Sequence, residues 1–105
     1  MNAHEIAASA AKLVGGDRKA AYGDVVSGLS KVADVWNGIL DAAGKAPAEP
    51  LNAQDVAQLM VGLKIARSYT GAFRLDNFID AAGWSAVAGE AAAYLAANET
   101  GGTSS

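Results

Sequence analysis

Apolar residues in the middle of the chain recur at helical spacing. Val25, Leu29, Val32, Val35, Trp36, Ile39 and Leu40 share one side of a 3.6-residue repeat, and Lys31, Asp34, Asn37 and Asp41 share the other. This pattern predicts an amphipathic helix from about Val25 to Ala43, with Asp24 as its N-cap. A first helix is predicted from about Ala3 to Val14. Its apolar content is thin, and Gly15-Gly16 stops it. A connector then runs to Tyr22-Gly23-Asp24. Pro47 and Pro50 mark the clearest linker, and Asn52 behind them is the N-cap of a third helix reaching about Ser68. Asp55 in its first turn suits the helix dipole. A fourth helix is predicted from near Asp76 to about Ala97, followed by a small, polar tail over 98–105 that is expected to fray. Strand-like alternation is missing throughout.

The third and fourth helices are apolar in more than one direction. Val56, Ala57, Leu59, Met60, Val61, Leu63, Ile65 and Ala66 surround the third, which places it centrally in its bundle. The fourth carries a single charge, Glu90, between Asp80 and Asn98, and Gly83, Ala86 and Gly89 smooth its surface for close helix packing. Both features predict burial on several sides. The expected fold is therefore an all-α four-helix bundle over 1–97, completed by oligomerisation and most simply a dimer.

Composition narrows the function. One domain is natural for 105 residues. Eight basic against eleven acidic side chains give a net charge of −3, which excludes strong nucleic-acid binding. There is no cysteine, and His4 is the one histidine, so thiolate and His-rich metal sites are excluded. No apolar run is long enough to span a membrane, and no signal peptide is legible, so a soluble cytoplasmic protein is expected.

The charges on the two apolar helices are the candidate chemistry. Lys64 and Arg67 are one turn apart, and Lys64 lies roughly opposite Asp55 on its helix. Asp76 and Asp80 stack near the start of the fourth helix. Asp76 is placed to cap that helix, whereas Asp80 lies one turn in and requires a cation. If the helices pack antiparallel, Lys64 or Arg67 supplies it, in a pair expected to be largely buried.

Four segments taken together resemble a small all-α domain family of phages and prophages, over about residues 5–95. They are Arg18-x-x-x-Tyr22-Gly23-Asp24, Trp36, Asp55-Val56-Ala57-x-x-Met60-x-x-x-Lys64-Ile65-Ala66-Arg67, and Asp76-Asn77-x-Ile79-Asp80-x-Ala82-Gly83-Trp84. More distantly, the pattern resembles the MazG-like nucleotide pyrophosphohydrolases. That resemblance implies an oligomeric helical bundle whose Glu-x-x-Glu and Glu-x-x-Asp motifs hold Mg²⁺ on nucleotide phosphates. Here Lys64-x-x-Arg67 stands at the first motif and Asn77-x-x-Asp80 at the second, so only Asp80 matches. Two cations at the acidic positions disfavour a metal and favour a phosphate anion.

The reading that follows is a phage-encoded MazG-like domain that binds a nucleotide or another phosphate-bearing ligand. Lys64 and Arg67 would contact phosphate, with Arg18, Tyr22 and Asp24 assisting. Asp76, Asn77 and Asp80 would support them or hold a residual metal. The sequence fixes no cofactor, and Mg²⁺ is the one the resemblance would bring. Two alternatives stand beside this reading. One is an active metal-dependent pyrophosphohydrolase with rearranged ligands, drawing on Asp76, Asp80 and Asp24 or Glu5. The other is a non-enzymatic phage interaction protein in which the charge cluster is structural.

Overall fold

The computed structural model describes residues 1–16 and 24–103, the last five by backbone alone. These residues form four helices and no strands: α1 (Ala3–Gly15), α2 (Val25–Ala42), α3 (Ala53–Ser68) and α4 (Asp76–Thr103). None of them is long and apolar enough to cross a membrane.

Local chemistry sets the helix ends. Asp24 caps α2, its Oδ1 accepting from the Val26 amide at 3.2 Å. Asn52 and Asp55 form a capping box at α3: the Asp55 amide donates to Asn52 Oδ1, and the Asn52 amide donates to Asp55 Oδ2. Asn2 and Glu5 repeat that box at α1, a cap whose Asn-x-x-Glu spacing stands in the sequence although the helix was placed there without it. α2 ends in a Schellman motif, with Gly44 at φ +72° and the Lys45 amide donating to the Leu40 carbonyl. The proline linker behind it is tied down by Asn37, whose side chain both donates to the Leu51 carbonyl and accepts from the Leu51 amide. The expected end of α4 at Ala97 is overrun, and the helix continues to Thr103. The alanines up to Ala97 favour it, no proline interrupts it, and each added residue gains one backbone bond.

The core is built from small side chains. Val26, Leu29 and Ala33 of α2, Ala53, Val56 and Ala57 of α3, and Val87, Ala88 and Ala91 of α4 form one buried cluster. The start of α3 thus meets the later part of α4, while Lys64 near the end of α3 meets Asp80 near the start of α4. The two helices are antiparallel and form the most extensive packing in the molecule. α1 lies on another side of α4, where a Cβ on Gly83 would stand 3.2 Å from Val14 Cγ1. Gly83 therefore serves close packing within the chain, which corrects its assignment to an oligomer face.

The expected burial of α3 on all sides is also corrected. Only Ala53, Val56 and Ala57 are buried, and Leu59, Leu63 and Ile65 are exposed. Within one chain α3 has α2 and α4 as neighbours, which cover its inner face and leave the outer one bare.

Candidate functional site

Lys64 reaches the interior because of its register. Ala53, Ala57, Met60 and Lys64 recur at i, i+4, i+7 and i+11, the stripe of α3 that packs inward. On α4, Asn77, Asp80, Trp84, Val87 and Ala91 follow the same kind of repeat. The two stripes meet where Lys64 Nζ lies 3.1 Å from Asp80 Oδ2, with side chains 16% and 31% exposed. It is the one ion pair among the described residues. The pairing expected from the sequence is present, but Asp80 is half-buried rather than largely buried, because one side of the pair opens into a cleft.

That cleft is an open cavity of about 210 Å³. All four helices contribute to it. Among the described residues, Lys64 and Asp80 are its charged groups, and the walls they contribute are apolar: Leu13 and Val14 of α1, Val25 of α2, Met60 of α3, and Trp84 and Val87 of α4. Met60 lies one turn before Lys64, and Trp84 one turn after Asp80. The i, i+4 spacing that joins each charge to an apolar neighbour was legible in the sequence. A lysine ammonium has three donors, and Asp80 takes one, so two remain for a bound acceptor. The apolar walls make each such bond stronger than it would be at an open surface.

The other sequence candidates are not gathered here. Arg67 is one turn beyond Lys64 but about 60° round the helix. It is exposed and forms no ion pair among the described residues, so the expected four-residue cluster reduces to one pair. Asp76 is exposed at the first position of α4. Asn77 is 7% exposed, the one buried polar residue among those described. Asp24 is exposed and engaged in capping α2. Arg18 and Tyr22 lie outside the described residues.

The acidic groups do not fit a metal centre of the MazG-like kind. Among the described residues, no three His, Cys, Asp or Glu side chains converge, and Asp80 already neutralises Lys64. Mg²⁺ seeks a near-octahedral set of oxygens, and Asp80 with one ammonium against it offers a poor start.

One protein family matches the chain, described as "Domain of unknown function (DUF6378)", over residues 5–92. No curated protein and no solved structure matches. The match covers most of the sequence, and the chain belongs to the DUF6378 family.

Proposed function

We propose that this DUF6378 domain binds a small phosphate-bearing ligand, a nucleotide being the best fit, in the cleft where α1, α2, α3 and α4 meet. The observation that carries the reading is a lysine held in place by one carboxylate, with donors to spare, at the edge of an otherwise apolar cleft. Lys64 contacts the phosphate. Asp80 positions the ammonium and is not itself a ligand group. Trp84 and Met60 offer a flat and a deformable apolar surface to the base. The cavity, about 210 Å³, is smaller than the 300–1,000 Å³ typical of enclosed ligand sites, so part of the ligand projects into solvent. Arg67, exposed and one turn away, adds only a salt-screened attraction. The sequence resemblance to nucleotide-handling helical proteins supports the same reading.

Thermal-shift titrations with nucleoside mono- and triphosphates, inorganic phosphate and the unphosphorylated nucleosides test it. A ligand at a hundred times its dissociation constant stabilises the fold by about 2.7 kcal/mol. A saturable rise with phosphorylated ligands only is expected, abolished in Lys64→Ala, reduced by added salt and largely kept in Arg67→Ala. No response to any phosphate compound would refute the reading and leave the ion pair as a structural one. Pyrophosphate release from nucleoside triphosphates with Mg²⁺ or Mn²⁺, lost in Asp80→Asn and kept in Lys64→Ala, would replace it with the hydrolase reading.

A further inference from the structure

The turn between α3 and α4 gathers the most exposed aromatic side chains. Tyr69 is 87% exposed and Phe73 79%, the two highest values for large apolar side chains among the described residues. Phe78, in the first turn of α4, is 47% exposed. Because α3 and α4 are antiparallel and joined by residues 69–75, all three stand at one end of the bundle. The Phe73 and Phe78 rings pair there, 6.3 Å between centroids. The turn holds a defined shape. The Tyr69 and Thr70 amides donate to the carbonyls of Ala66 and Arg67, Gly71 takes φ +70°, and the Asn77 and Phe78 amides donate to those of Arg74 and Leu75. Aromatic rings set out to solvent on an ordered turn are the mark of a preorganised interaction surface.

Charge identifies the partner. Residues 56–75 carry Lys64, Arg67 and Arg74 and no acid, whereas the rest of the chain carries five basic and eleven acidic residues. Lys64 is engaged by Asp80, but Arg67 and Arg74 are exposed and form no ion pair among the described residues. Asp76 follows Arg74 and suits the start of α4. We infer that this end of the bundle docks an acidic segment of another protein that also carries apolar side chains. Arg67 and Arg74 take its carboxylates, to which a planar guanidinium bonds through two donors at once. Tyr69, Phe73 and Phe78 take its apolar side chains. Aromatic residues and arginine together are the composition of the energetic centres of protein interfaces. Polyanions fit less well. Anionic lipid surfaces are read by clusters of about 4–8 basic residues, and nucleic acid by neutralisation of several phosphates. Two arginines beside Asp76, on a body of net negative charge, favour a few carboxylates over an array of phosphates. The inference stands whatever the cleft binds.

Selection of short random peptides, displayed on yeast, against the N-terminally biotinylated full chain tests this surface. Fluorescence anisotropy on synthetic copies of the selected peptides gives their affinities. Those peptides are expected to carry Asp or Glu beside Leu, Ile or Phe. Their affinity is expected to fall at least about tenfold in Phe73→Ser and in Arg74→Glu. It is expected to weaken with added salt and to be unchanged in Ile39→Ser, at an exposed site on α2. Helical circular dichroism checks that each variant is folded, and if Phe73→Ser is not, Arg67→Glu combined with Arg74→Glu decides. The inference is overturned by no enrichment over the unselected library, by selected peptides that lack acidic residues, or by affinities that the folded variants leave intact. Tighter binding through the same residues to single-stranded oligothymidylate, or to phosphatidylserine vesicles, would overturn it as well and assign this end to a polyanion.

Discussion

At the scale of single residues, the Lys64–Asp80 pair lies between two regimes. Exposed ion pairs contribute about 0–1 kcal/mol, and removing one partner of a fully buried pair costs about 3–5 kcal/mol. With 16% and 31% exposure, this pair loses part of its hydration and keeps the rest. Asp80→Ala is therefore expected to lower stability by about 1–2 kcal/mol. Asp34→Ala, at an exposed site on α2, is expected to change it by less than about 0.5 kcal/mol. Urea denaturation of both variants checks the difference, and equal small losses would show Asp80 to be unpaired in solution. The need for a cation beside Asp80 was legible, because a carboxylate one turn inside an apolar helix has no backbone donors to satisfy it. The degree of burial was not, since it depends on how closely the end of α1 and the start of α2 close over α3 and α4 around the cleft. Arg67 was misplaced for a simpler reason. A spacing of three leaves it about 60° from Lys64, enough to carry a long side chain from the cleft to solvent.

At the scale of elements, the helices themselves were legible because their stop signals are chemical. Asp24 and Asn52 each carry the short acceptor an N-cap needs, and both cap the helices assigned to them. The surroundings of each helix were less legible, because an apolar surface does not say whether it meets the same chain or another. Gly83 and Leu59 show the two outcomes. Gly83 looked like part of an oligomer face and instead admits Val14 of α1. Leu59 looked buried and is exposed. Gly83→Leu is accordingly expected to wedge α1 from α4 and destabilise the fold by about 1–3 kcal/mol, as overpacking does, with no change in molecular mass. Chemical denaturation with light scattering on the same samples checks both parts. A stable variant of altered mass would return Gly83 to an intermolecular role.

At the scale of the whole molecule, the fold is open and its core is thin. The radius of gyration is 15.5 Å, where about 13 Å is usual for a compact chain of this length. Alanine and valine supply most of the buried residues, so helices approach closely and enclose little volume. The cleft lies where this packing is incomplete and the only ion pair among the described residues crosses it. Trp84 lines the cleft, and Trp36 packs against the core as the one other tryptophan. A Trp36→Phe variant thus reports from the cleft alone. Its Trp84 emission, titrated with nucleotide, is the most direct test of ligand binding at Lys64. A saturable change is expected with phosphorylated ligands, and none when Lys64→Ala is added to the same background. Emission that stays constant throughout, or responds equally with and without Lys64, would contradict phosphate recognition in this cleft.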